Sequence, residues 1–176
     1  MGTEQEKTLQ VLQTAIQIEI DGKAFYLKAS DESKNAIGKQ LLKTLAGEED
    51  RHRRTFAKIY DALRAEKSWP KIALPSGRDK VLTTILSGTP ANKTPLAKAE
   101  SSEMAAVETA IGLEVKTYTY YTEQAKIARY DVEKGFYQRL AAEERGHHLV
   151  LSDYLEYIKD PQQWYYIKEH SNVDGG

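Results

Sequence analysis

The chain has 176 residues, of which 40% are hydrophobic and 29% charged, and its net charge is −1. This composition is typical of one soluble helical domain and provides no overall attraction to nucleic acid or to an anionic membrane. The absence of cysteine from the sequence excludes disulfides, zinc ribbons, iron–sulfur clusters and thiol catalysis. Since no apolar stretch resembles a signal peptide or reaches the ~20 residues of a membrane span, we expect a cytoplasmic protein.

Four long helices are predicted, because apolar residues recur at steps of three and four along four stretches of the chain. These stretches cover about 4–30, 34–66, 101–129 and 132–159. The connection over residues 67–99 contains four prolines and two glycines, which break any long helix. One short amphipathic helix is expected within it, around residues 81–86.

The lengths of the connections predict how these helices are arranged. Short turns join the first helix to the second and the third to the fourth, so each pair forms an antiparallel hairpin. The connection of 33 residues between the hairpins can span a helix of about 42 Å, which makes the second and third helices parallel. The predicted fold class is therefore all-α, a four-helix bundle over residues 1–160 with one long crossover.

The C-terminal tail, residues 161–176, is too apolar to be a free end. Trp164, Tyr165, Tyr166 and Ile167 follow one another there. We expect the tail to pack on the bundle or on a partner subunit. The aromatic surface that it adds makes a homodimer the expected assembly.

The two predicted hairpins resemble each other at a constant offset of 95 residues. The equivalent polar pairs are Glu19 and Glu114, Glu49 and Glu144, and His52 and His147. Two like hairpins joined by a crossover can pack about a pseudo-twofold axis, which brings equivalent residues together in the middle of the bundle. All six polar groups are therefore expected at one place.

This cluster needs positive charge. An unpaired buried carboxylate costs several kcal/mol even after relaxation, and four of them also repel one another. Each histidine follows a glutamate by three residues, so both side chains reach one helical face and can bind one ion. Two divalent cations would neutralise four carboxylates, and imidazole with carboxylate suits iron better than a soft metal. Manganese or a mixed pair fits the same ligands.

The expected cofactor is thus a pair of iron ions, with Glu49 and Glu144 bridging them. The terminal ligands are then Glu19 and His52 for one ion, and Glu114 and His147 for the other. This leaves positions open for water, dioxygen or peroxide. We assign the two bridging carboxylates a catalytic role, because they can change their binding mode as the charge of the site changes.

Four further side chains are candidates for supporting roles. Tyr26 and Tyr121 lie two turns beyond the first glutamate of each hairpin, and they either hydrogen-bond to the bridging carboxylates in a catalytic role or form aromatic core. Glu48 and Glu143 precede the bridging glutamates. Each is placed either to accept the ring N–H of the histidine in the opposite hairpin or to contribute surface charge.

The order Glu, Glu-x-x-His, Glu, Glu-x-x-His on four helices resembles the ferritin-like di-iron carboxylate superfamily. Ala15-Ile16-x-x-Glu19 and Ala110-Ile111-x-x-Glu114 are most similar to the rubrerythrin-like group within it. The resemblance spans roughly residues 5–170. It implies a ferritin-like bundle with a buried di-iron site that reacts with peroxide or dioxygen.

Two departures from rubrerythrins affect the expected chemistry. The sequence has no cysteines, so the resemblance is to a group that lacks the rubredoxin domain, and electrons are expected from an external donor such as a rubredoxin. Rubrerythrins also carry another glutamate about one turn after the first glutamate of the third helix. Thr117 and Tyr118 occupy that turn here.

The leading functional hypothesis is a di-iron oxidoreductase of the peroxidase or ferroxidase type, with a role in oxidative stress, that reduces peroxide or dioxygen. Three alternatives stay open from the sequence. The same ligands serve ferrous iron binding and oxidation for storage or delivery. Hydroxylation of a small organic substrate needs an apolar pocket beside the metals, and a structural helical interaction protein needs no metal at all.

Overall fold

The computed structural model describes residues 4–66, 68–70, 72 and 101–171. Its helices are α1 (Glu4–Glu32), α2 (Ala36–Glu66), α3 (Ser101–Ile127), α4 (Asp131–Lys159) and α5 (Pro161–Ser171). Within these residues there is no strand, and the predicted all-α fold class is confirmed. No described helix has the length and apolar character needed to cross a membrane. The predicted crossover over 67–99, with its short helix, lies almost wholly outside the described residues.

The apolar core has two parts, one on either side of the polar cluster. The first core cluster includes Leu12, Phe56, Tyr121 and Leu140, and the second includes Tyr26, Leu45, Val107 and Leu151. α1 and α4 begin in the first cluster and end in the second, whereas α2 and α3 run the opposite way. Each hairpin is therefore antiparallel, and α2 lies parallel to α3.

The ends of the long connection lie at opposite ends of the bundle. Trp69, just beyond α2, packs against the first core cluster, with its ring centroid 5.8 Å from that of Phe136. α3 enters the core through Val107, which belongs to the second cluster. The described residues on either side of the connection thus lie at opposite ends of the bundle, as the predicted one-crossover topology requires.

The internal repeat extends through the core. When two core residues lie 95 positions apart in the sequence, one lies in each cluster. The pseudo-twofold axis therefore relates one cluster to the other. The exchanged pairs include Leu12 and Val107, Ala15 and Ala110, Leu45 and Leu140, and Trp69 and Trp164. The tryptophan pair was missed by the sequence analysis, although its offset is visible in the sequence. It extends the repeat beyond α4.

Two boundaries differ from the sequence prediction for local reasons. α2 begins at Ala36 because the Asn35 side-chain oxygen accepts the backbone N–H of Ile37 at 2.9 Å, which caps the helix. The tail forms helix α5, whose Trp164 packs edge-on against Tyr157 at 5.4 Å. The Trp164 indole N–H donates to Asp153 Oδ1 at 3.0 Å, so this part of the tail is held against α4.

Gly38 permits a close approach between α2 and α4. A methyl group there would overlap the Tyr154 hydroxyl oxygen and would stand 2.8 Å from Glu103 Oε1. The same Glu103 oxygen accepts the Tyr154 hydroxyl at 2.9 Å and the Ser33 hydroxyl at 2.6 Å. The overlapping atom is thus held by hydrogen bonds and cannot move aside freely.

We expect Gly38→Ala to lower the free energy of unfolding by about 1–3 kcal/mol, because it overpacks a fixed contact. Gly112→Ala is the matched control, since an added methyl group there meets nothing within 4 Å. That change should stabilise the protein by up to about 1 kcal/mol through helix propensity. Urea unfolding followed by circular dichroism measures both, and equal effects would contradict the close approach at Gly38.

Candidate metal centre

The six predicted ligands lie in one buried layer between the two core clusters. No more than 4% of any of them is exposed. They are Glu19 on α1, Glu49 and His52 on α2, Glu114 on α3, and Glu144 and His147 on α4. All four helices of the bundle thus contribute to the layer, and the crossover topology brings the two hairpins to the same point.

The carboxylates of Glu49 and Glu144 each reach both histidines. Glu144 Oε1 lies 3.2 Å from His52 Nδ1, and Glu144 Oε2 lies 3.4 Å from His147 Nδ1. Glu49 Oε2 lies 3.7 Å from His52 Nδ1, and Glu49 Oε1 lies 3.4 Å from His147 Nδ1. This is the arrangement that two bridging carboxylates require.

The remaining two carboxylates each face one histidine. Glu19 Oε2 lies 3.3 Å from His52 Nδ1, and Glu114 Oε2 lies 3.6 Å from His147 Nδ1. The six residues therefore divide into two groups of four that share Glu49 and Glu144. In each group the candidate ligand atoms lie within 4.8 Å of one another.

The chemistry of these atoms fits metal ions. One nitrogen or oxygen of every one of the six side chains is buried and has no hydrogen-bond partner. Two ligand atoms that each lie about 2.1 Å from one ion, at angles of 90–120°, are about 3.0–3.6 Å apart, close to the distances between these atoms. Such buried polar atoms need a partner. A pair of cations supplies one for all six.

Two of the glutamates are held ionised in the metal-free protein. Burial opposes the charge on Glu144 and Glu49 repels it, but the imidazoles of His147 and His52 outweigh both and lower the pKa of Glu144 to about 2. Burial likewise opposes the charge on Glu49, yet contacts with Glu19 and the two histidines hold its pKa well below its usual value. The bridging positions therefore carry negative charge.

Proton binding is favoured at the other four groups. Burial and the nearby charge of Glu49 raise the pKa of Glu19 well above its usual value. Burial and the nearby charge of Glu144 do the same for the pKa of Glu114. Burial disfavours charge on His52 and His147, but the surrounding carboxylates outweigh it and raise both pKa values. Protons thus balance the cluster where cations are absent, and metal ions must displace them.

Tyr26 and Tyr121 hydrogen-bond to the predicted terminal carboxylates, not to the predicted bridging ones. The Tyr26 hydroxyl donates to Glu114 Oε1, and the Tyr121 hydroxyl donates to Glu19 Oε1. The predicted bond to the bridging carboxylates was wrong because α1 and α3 are antiparallel neighbours. Each tyrosine, two turns beyond its own glutamate, therefore meets the glutamate of the other helix. The bond leaves Oε2 of each terminal glutamate facing a histidine.

Glu143 accepts a hydrogen bond from the ring of His52. His52 Nε2 lies 2.9 Å from Glu143 Oε2, which leaves Nδ1 facing the cluster. The Arg51 guanidinium donates to Glu143 Oε2 at 2.6 Å and also to Glu48. Burial opposes the charge on Glu143, but His52 and Arg51 outweigh it and lower its pKa. The predicted bond from His147 to Glu48 stays a prediction.

Arg51 was missed by the sequence analysis as part of the site. It stands in a run with Arg53 and Arg54, which is typical of a solvated helix face. Its side chain is mostly buried, whereas that of Arg54 is exposed. The only signal in the sequence was its position between Glu48 and His52, which does not reveal the acceptor on α4.

We expect metal binding at pH 6 to release between about two and four protons per pair of ions. The raised pKa values of His52 and His147 keep protons that must leave, and those of Glu19 and Glu114 add up to two more. Affinity should consequently fall as the pH is lowered, since only the unprotonated forms bind metal. Calorimetric titration in buffers of different ionisation enthalpy counts the protons, and binding without proton release would contradict this account.

We expect Arg51→Gln to weaken metal binding by about 10–100-fold, the range found when groups that orient a ligand are removed. Without the guanidinium, Glu143 is less firmly held against His52. Arg64→Gln on the same helix is the control, because Arg64 is exposed and contacts only the ring of Tyr60 among the interactions described. Competition with a chelator of known affinity measures both variants, and equal losses would rule out the role of Arg51.

Comparisons with known proteins agree with this geometry. Residues 10–111 match a family model described as rubrerythrin, a span that includes Glu19, Glu49 and His52. A solved structure, described as a hypothetical protein from Pyrococcus furiosus, is similar with a TM-score of 0.63 and 22% identity over 85% of this chain and 89% of that one. At that identity the likeness shows the fold. No curated protein matches the chain.

Proposed function

Because this chain belongs to the rubrerythrin family, we propose that its buried cluster holds two iron ions and reduces peroxide or dioxygen. The observation that carries the proposal is the convergence of six unpartnered buried ligand atoms from four helices. A structural role alone does not account for them, since unpaired buried polar groups destabilise a fold. Iron bound there would supply the electrons for the reduction.

The protein's own side chains hold and orient the site. Glu49 and Glu144 present both oxygens between the two histidines, so each can shift between binding modes as the charge changes. The tyrosine hydroxyls fix the terminal carboxylates from outside. The two core clusters exclude water on either side, which strengthens every charge interaction within the layer.

The reaction needs an external electron donor. These 176 residues contain no cysteine for a rubredoxin-type iron site, and the proposal takes a rubredoxin-like protein as the donor. One turn after Glu114, where rubrerythrins have a further glutamate, the Thr117 hydroxyl donates to the Leu113 carbonyl at 3.1 Å. The proposed site therefore works with four carboxylates. The homodimer and the cytoplasmic location stay predictions.

Hydroxylation of a small organic substrate is a second candidate. It uses the same ligands but requires a pocket next to the metals. A pocket that includes Glu114 among its lining residues supports it. Product analysis after reaction with dioxygen and a reductant separates the two candidates, because hydroxylation incorporates oxygen into an organic product.

The direct test is peroxide consumption by the reduced, iron-loaded protein with a rubredoxin-like donor. We expect turnover well above that of free iron at equal concentration, and at least a 100-fold loss in Glu49→Ala. That variant removes a bridging ligand and should also lower the metal content below two ions per chain. Stopped-flow absorbance and metal analysis measure the two effects.

Glu123→Ala serves as the matched control, since Glu123 lies exposed on α3 and pairs only with Lys126 among the interactions described. It should retain full turnover and metal content. A rate equal to that of free iron in the wild-type protein would reject peroxide reduction. Cage-sized assemblies with many irons per chain would instead favour the storage hypothesis.

A further inference from the structure

A pocket of about 270 Å³ opens on the face formed by α3 and α4. Its lining residues lie close to three of the predicted ligands in the sequence, Glu114 on α3 and Glu144 and His147 on α4. They are Glu114, Val115, Tyr118, Arg145, His148 and Leu149. The pocket therefore borders the candidate metal centre at Glu114.

The internal repeat shows what is unusual about this pocket. The six positions 95 residues earlier are Glu19, Ile20, Lys23, Asp50, Arg53 and Arg54. There, ion pairs occupy the corresponding surface: Asp50 accepts Lys23 at 2.9 Å and Arg53 at 3.1 Å, and also pairs with Arg54.

The pocket half has lost these ion pairs through substitution at equivalent positions. Tyr118 replaces Lys23 and Arg145 replaces Asp50, so no acid remains at the centre of the group. Leu149 replaces Arg54 and adds an apolar wall. The two halves therefore present the same ligands behind different surfaces.

Four of the six predicted ligands follow the same asymmetry in exposure, whereas Glu49, 4% exposed, and Glu144, 1% exposed, do not. Glu114 and His147 are each 3% exposed, whereas Glu19 and His52 are fully buried. On the closed half, Arg51 further covers the site by binding Glu143 and Glu48. Its equivalent on the other half is Gly146, which has no side chain to do so. The pocket thus places an opening beside Glu114 on the α3–α4 face.

The lining indicates the kind of molecule that fits. Within the part of the chain that the structure describes, the Arg145 guanidinium has no hydrogen-bond or ion-pair partner, and guanidinium binds carboxylates well. Val115 and Leu149 are 47% and 57% exposed and form apolar walls. The volume is below the roughly 300–1,000 Å³ of pockets for drug-sized ligands, so the occupant is a small molecule.

We propose that this pocket binds a short-chain carboxylate, with its anionic group on Arg145 and its apolar chain against Val115 and Leu149, and that reactants reach the dinuclear site through it. The entry route rests on the proposed function, whereas the carboxylate site does not. The two parts therefore have separate tests. The probe for the binding site is butyrate.

Calorimetric titration of butyrate into the metal-loaded protein tests the binding site. Saturable binding should weaken at least tenfold in Arg145→Gln and remain unchanged in Arg139→Gln. Arg139 is an exposed arginine on the same helix that does not line the pocket, so it controls for the loss of one charge. Absence of saturable butyrate binding, or an equal loss in both variants, would overturn the site.

Blocking the pocket tests the entry route. Val115→Trp should abolish butyrate binding and slow the reaction of the reduced protein with peroxide at least tenfold. Ile20→Trp, at the equivalent and similarly exposed position of the closed half, should change neither. Leu149→Trp provides a second block if the first variant does not fold. An unimpaired reaction in a blocked protein rejects the route, whereas an inactive wild type rejects only the proposed function.

Discussion

The burial of four carboxylates in one layer of the bundle is the constraint on which the rest of this structure depends. Each of Glu19, Glu49, Glu114 and Glu144 lies where a helix of this length would otherwise bury an apolar side chain. Their desolvation costs free energy that the hydrophobic clusters on either side must offset. Protons or cations must also balance the charge. The fold and the metal chemistry are therefore aspects of one arrangement.

The layer also explains how supporting residues are distributed. The tyrosine hydroxyls donate hydrogen bonds to two of the ligands from within the core. At the periphery, the Arg51 guanidinium donates hydrogen bonds to Glu143 and Glu48. Three ligands, Glu19, Glu114 and His52, each have one polar atom in a described hydrogen bond, and this bond fixes the orientation of the side chain. The unpartnered atoms of Glu19, Glu114 and His52 then face the cluster. Such preorganisation is what a metal site requires if its ligands are to act together.

Much of this could be predicted from the sequence. The six buried polar positions and the two hairpins follow from helical periodicity and from an offset of 95 residues, because both hairpins must bury the same kind of face. The family followed from the resemblance of the Glu, Glu-x-x-His order. The partners of Tyr26 and Arg51 could not be predicted. They depend on which side chain of a different helix stands opposite, and a periodic pattern on one helix does not contain that distance. The pocket beside Glu114 could likewise not be predicted, because it lies where the α3–α4 half lacks the ion pairs that the α1–α2 half has.

The repeat, which extends to Trp69 and Trp164, has a consequence for how such a protein can change. Each candidate ion contacts side chains from both hairpins, so neither half can give up its ligands without damaging the other. The outward surfaces are under no such joint restriction. One half can keep its ion pairs as a fixed wall while the other acquires new neighbours for a reactant. A chain with two similar halves can thus share one cluster of candidate ligands and still present two different surfaces around it.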